Sequence, residues 1–135
     1  MSERFVKERR ENAIKATLIM EGRKAFPGWC IFPHQDIITH GIPDISWTGN
    51  RHTAWTELKY ADPNFNSKGI QELNMLKLVR QGIWARYIIY YEVGTIKRTY
   101  LVHPHAIGLG FGDWLDVVDG HNHQWVIEKI RGAYK

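Results

Sequence analysis

The chain has a single cysteine, Cys30, in 135 residues. That excludes an internal disulfide and any zinc site built on cysteines. No apolar run approaches the ~18 residues that cross a bilayer. The segment "MSERFVKERRENAIK" is charged from its third residue, unlike a secretory leader, so the expectation is a cytoplasmic protein with no membrane partner. The glycine-rich "GLGFG" (108–112) is not followed by Lys-Ser/Thr, so it is no phosphate-binding P-loop, and its glycines read as tight turns. Internal repeats, low-complexity tracts and long linkers are also missing.

What is present fits one globular domain over 1–135. Hydrophobic residues make up 44% and charged residues 24%, well away from the composition of disordered chains. The formal net charge is +4, and residues 1–24 carry seven Lys or Arg against four Glu. A basic surplus attracts polyanions, because neutralising phosphates releases counterions. A solvated basic helix accounts for the same charge equally well.

Residues 3–21 lack Pro and Gly, are rich in helix formers and reach Gly22, which predicts a helix with a glycine stop. Short strands are expected over 28–34, 42–47 and 52–60, the last two joined by a hairpin turning at Gly49-Asn50. "ADPNFN" (61–66) is turn chemistry, and Ser67 is a suitable N-cap for a helix to Gly82. "WARYIIYYE" (84–92) reads as a strand buried on both faces, and 97–103 as another. The tail is read as a short helix over 112–118 and a last strand near 124–130. The order α-β-β-β-α-β plus a C-terminal extension predicts an α/β fold, a mixed sheet flanked by helices.

Asp44, Glu57 and Lys59 lie among Ile42, Ile45, Trp47, Trp55 and Leu58, where a buried sheet favours apolar residues. On a strand Glu57 and Lys59 share a face, ~6.6–6.8 Å apart, while Leu58 faces the other layer. A tight hairpin can set Asp44 beside Glu57. Two adjacent carboxylates repel unless a cation lies between them, and paired oxygens with room for water suit Mg²⁺. The Leu58 carbonyl offers a further oxygen. The opposing reading is an exposed Glu57–Lys59 pair of little energetic weight.

Pro43-Asp44 followed by Glu57-Leu58-Lys59 resembles the PD-(D/E)xK nuclease superfamily, over residues 8–92. The resemblance implies a restriction-endonuclease-like core and Mg²⁺- or Mn²⁺-dependent hydrolysis of DNA phosphodiesters. Asp44 and Glu57 would hold the metal with the Leu58 carbonyl, and Lys59 would act on water or phosphate. Members place a Glu on the first helix. Here Glu11, bordering the Ile14–Leu18 stripe, is the choice for a catalytic and metal-binding role, ahead of Glu8; pairing with Lys15 is its structural alternative. Gln71, in a stretch similar to the VRR-NUC branch, is either near the active site or a satisfied structural glutamine. Arg4, Lys7, Arg10, Lys15, Asn50 and Arg51 are the expected DNA-backbone contacts. Small members of the VRR-NUC and Holliday junction resolvase branches are usually homodimers that cut branched DNA, and that is the substrate class expected here.

Alternatives stay open: a sequence-specific restriction- or homing-type endonuclease, or a non-cleaving DNA-binding protein. A metal-binding protein built on His103/His105 and His121/His123 lacks a third fixed ligand. Asp36 and Asp62 read as loop acids and Cys30 as a core residue. Trp47 and Trp114 are the tryptophans that could stack on bases.

Overall fold

The structure is a computed structural model that describes residues 3–34, 43–60, 70–106 and 115–133, with side chains over 9–34, 43–60, 74–105 and 116–133. The expected turn at 61–66, the Ser67 cap, Asp36, Asp62, Trp114 and the glycine-rich 108–112 lie outside these residues.

In chain order the elements are α1 (Glu3–Ala25), β1 (Cys30–Pro33), β2 (Ile45–Gly49), β3 (His52–Tyr60), α2 (Ile70–Arg80), β4 (Ala85–Val93), β5 (Ile96–Val102), a 3₁₀ turn (Pro104–Ala106), β6 (Leu115–Asp119) and α3 (His123–Gly132). The strands form one open mixed sheet in the order β1-β2-β3-β4-β5-β6. Neighbours are antiparallel except β3 and β4, which run parallel with Glu57 opposite Tyr87 and Lys59 opposite Ile89. A parallel pair requires a crossover connection, and α2 lies in it. The chain is therefore α/β, as expected.

Alternation along the strands divides the core in two. Ile31, Ile45, Trp47, Ala54, Leu58, Ile88, Tyr90 and Leu101 face α1 and α3, whose Leu18, Ile19, Val126, Ile127 and Ile130 complete that layer. Tyr87, Ile89, Tyr100 and Val102 face the other way, against Met75 of α2. Tyr87 through Tyr90 are fully buried on both faces, as β4's aromatic and β-branched run predicts.

Several expectations need correction. α1 does not stop at Gly22 but runs on to Ala25. Gly22 serves a close approach instead: a Cβ there would lie 2.5 Å from Trp47 Cζ3. Trp47 is fully buried, its indole N–H donating to Thr56 Oγ1 at 3.0 Å, so it is no base-stacking residue. The hairpin turns at Asn50-Arg51, with φ of 49° and 67°; Gly49 is the last residue of β2, paired with His52. Two left-handed residues give the twist a two-residue hairpin needs, and Asn tolerates that region. Cys30 is exposed on the edge strand β1 rather than in the core.

The tail is reversed with respect to the expectation. Residues 115–119 form a strand and 123–132 a helix. Asn122 caps that helix, its side chain accepting from the Trp125 N–H at 3.0 Å, and the buried Val126, Ile127 and Ile130 follow helical spacing. "LDVVD" instead completes the sheet along β5, with Val117 opposite Tyr100.

Candidate active site at the end of β3

β2 begins at Ile45, opposite Thr56, so residues 57–60 of β3 run past it. On its other edge β3 stays paired with β4 as far as Tyr60. Trp55 N–H donates to Trp84 O on the β4 side. Because edge-facing N–H groups alternate along a strand, those of Leu58 and Tyr60 open on the edge that β2 has left. Two carboxylates receive them. Asp44 Oδ2 accepts from Leu58 N–H at 3.0 Å, and Glu11 Oε1 accepts from Tyr60 N–H at 3.0 Å. In an extended strand a residue's C=O opens on the same edge as its N–H, so the Leu58 carbonyl faces the side that holds Asp44.

Asp44 is fixed from behind by β1, since His34 N–H donates to its carbonyl oxygen at 2.7 Å. His34 is itself held by Ser46 Oγ at 2.7 Å and by its ring contact with Trp55, 5.1 Å between centroids. Leu58 packs beneath α1 and α3, so Glu57 and Lys59 rise on the α2 face. Glu57 is 2% exposed, and Lys59 Nζ lies 4.0 Å from its Oε1.

Burial pushes the Glu57 carboxyl up to about 10, and the hydrogen bond to Asp44 and the Asp44 charge push it the same way; Lys59 and Lys15 offset only part of this. At neutral pH Glu57 therefore keeps its proton and shares it with Asp44. A buried acid pair forced to hold a proton is a site where a cation can take the proton's place. The donors are hard oxygens, two carboxylates and a carbonyl, which suit Mg²⁺ or Mn²⁺. Among the described residues no three His, Cys, Asp or Glu side chains already converge as a metal centre. Glu11 lies along the same edge of β3 but spends an oxygen on Tyr60.

The expected residues do not all assemble. Asp44, Glu57, Lys59 and the Leu58 backbone come together, with Glu11 one strand repeat away, ~6.6–6.8 Å. Gln71 stands in the first turn of α2, and its side chain lies outside the described residues, as do those of Arg4 and Lys7. Asn50 and Arg51 sit at the far end of β3, about 20 Å from Glu57 along the strand. Arg10 is turned onto Tyr60 Oη at 2.6 Å and Glu92 Oε2 at 2.9 Å.

Lys15 departs most from expectation. It neither pairs with Glu11 nor lies on an open basic surface; its Nζ is 3.4 Å from Asp44 Oδ1, with side chains 14% and 20% exposed. Its place on the inward stripe with Glu11, Leu18 and Gly22 was the available signal.

The histidines are engaged elsewhere. His103 Nδ1 accepts from His105 N–H at 3.2 Å. His121 Nε2 bonds Tyr91 O and His123 Nδ1 bonds Tyr90 Oη, both at 2.8 Å. Burial, Arg86 and His105 together push His103 down to about 4. No protein-family model and no curated protein matches the sequence. No helix among the described residues is long and apolar enough to cross a membrane.

Proposed function

We propose that the chain is a Mg²⁺- or Mn²⁺-dependent DNA endonuclease of the PD-(D/E)xK type, acting as a homodimer on branched DNA such as Holliday junctions. The observation that carries this reading is the buried Glu57 beside the half-buried Asp44, with Lys59 next to it, at the strand end where the Leu58 carbonyl is also turned. The order of α1, three antiparallel strands, α2 and a parallel β4 supports a restriction-endonuclease-like core around it.

Asp44, Glu57 and the Leu58 carbonyl would hold the metal. When bound, such an ion lowers the pKa of a coordinated water and neutralises charge developing on a phosphate. Lys59, 4.0 Å from Glu57, would orient an attacking water or meet the charge on the phosphoryl oxygens. Leu58 N–H and Lys15 hold the Asp44 carboxylate, and His34 N–H holds its backbone carbonyl, so the side chain is pre-positioned. Glu11 fixes the end of β3 through Tyr60 N–H and so acts as a positioning group. The basic α1 and the Asn50-Arg51 tip would contact phosphates, which positions a duplex without reading its sequence.

The test is incubation with Mg²⁺ or Mn²⁺ and four labelled substrates: four-way junction, flap, linear duplex and single strand, with Asp44→Ala and Lys59→Ala alongside. Junction cutting lost in both variants is the expected result. Cutting of linear duplex at one site would favour a restriction or homing enzyme. DNA binding without any cutting would leave a non-catalytic binder and end the mechanism above.

A further inference from the structure

The Asp44–Glu57 pair is approached by two ammonium groups from two different elements. Lys59 belongs to β3 and stands 4.0 Å from Glu57. Lys15 comes from α1 and stands 3.4 Å from Asp44 Oδ1, largely shielded from water. Asp44's other oxygen is occupied by Leu58 N–H. Lys15 therefore takes up the oxygen of Asp44 that the backbone leaves over. A lysine on the inward stripe of a helix is an expensive position unless its charge is matched, and Asp44 is the match.

We infer that Lys15 is a built-in counterion that holds the cation's place at Asp44 and must give way when a divalent ion binds. This rests on the nuclease reading of the same site and adds a competition to it. A divalent ion and an ammonium cannot both lie against one carboxylate oxygen without strong repulsion. The displaced side chain has somewhere to go: Lys15 also lines a groove of about 440 Å³ with Asn12, Ala16, Ile19 and Pro33. Lys15 is thus a positioning residue linking α1 to the metal state of the sheet edge, and it is withdrawn from the general basic surface.

The experiment is a Mn²⁺ titration followed by the electron paramagnetic resonance signal of the free ion, at pH 7.5, on wild type, Lys15→Met, Lys15→Arg and Asp44→Asn. Lys15→Met should bind Mn²⁺ about tenfold more tightly, one decade in the dissociation constant. Lys15→Arg should bind no more tightly than wild type, and Asp44→Asn should lose the site. Asp44-dependent binding in wild type with Lys15→Met unchanged or weaker would overturn the inference and leave the nuclease reading standing. No Asp44-dependent binding in any variant would end both.

A second measurement needs no variant. Reductive methylation of the wild-type protein, mapped by mass spectrometry, should find Lys15 slow without metal and severalfold faster with saturating Mg²⁺. Equal rates in the two states, with Mg²⁺ binding shown in parallel, would overturn the inference; no Mg²⁺ binding would end it together with the nuclease reading.

Discussion

Two acidic clusters lie at the ends of adjacent strands, and they are built on opposite principles. At β3, Glu57 is buried against another carboxylate and is held protonated. At β4, Glu92 accepts hydrogen bonds from Tyr60 Oη and Arg10 and lies 3.5 Å from Lys97 Nζ. The Tyr60 hydrogen bond, with Lys97 and Arg10, holds its carboxyl below the ordinary range. Polar groups around it are similarly matched: Thr99 Oγ1 donates to Gly120 O at 2.7 Å, and Tyr90 Oη meets His123 Nδ1. Complementary partners make Glu92 a structural acid. Burial beside a second carboxylate, offset only in part by Lys59 and Lys15, instead leaves Glu57 holding its proton, which marks the end of β3 as the candidate site.

The comparison breaks most sharply on activity. Asp44→Asn or Glu57→Gln should lower metal-dependent DNA cleavage by more than about 100-fold, while Glu92→Gln leaves it unchanged, read from initial rates on a four-way junction. Equal losses in both clusters would erase the distinction.

Next comes the pH dependence of stability, measured by chemical denaturation in EDTA. Glu57 is raised from 4.5 to about 10 in the folded chain, so between those values the native state holds a proton that the unfolded state has released. Stability should therefore fall as pH rises through that window. Glu57→Gln should flatten the slope. Glu92 acts in reverse: its contribution is present above 4.5 and is lost as pH falls through its lowered value. Glu92→Gln should remove only that acid-side loss.

Smaller effects sharpen the β4 side. Asn122→Ala should cost about 1 kcal/mol through the lost cap of α3, with Mn²⁺ affinity unaffected. Tyr60 belongs to both clusters, giving its N–H to Glu11 and its hydroxyl to Glu92. Tyr60→Phe should cost at most about 1 kcal/mol in denaturant titration and preserve Mn²⁺ binding, because the backbone N–H remains.

The residues that were legible in sequence are those whose neighbours are close along the chain. β3 and β4 declared themselves through alternation and β-branched density, and the Asp44–Glu57–Lys59 grouping through a short hairpin. The tail is ambiguous in sequence because "WVIEKI" is apolar enough for a strand, and only the Asn122 cap and the spacing of Val126, Ile127 and Ile130 identify a helix. "LDVVD" has no helical period of its own and becomes a strand because β5 offers it an edge. Gly22 looked like a helix stop because its role depends on Trp47, which a sequence window around the glycine does not contain.

Sequence by itself determined the α/β class, the hairpin that sets Asp44 near Glu57, and the shared face of Glu57 and Lys59, because these follow from local periodicity and short loops. Tertiary structure decided the rest. It fixed how deeply Glu57 is buried, and so its protonation. It turned Lys15 onto Asp44 and Glu11 onto Tyr60, and it matched Glu92 with partners from α1, β3 and β5. Burial and through-space charge depend on which distant segments pack together, and no local pattern carries that information.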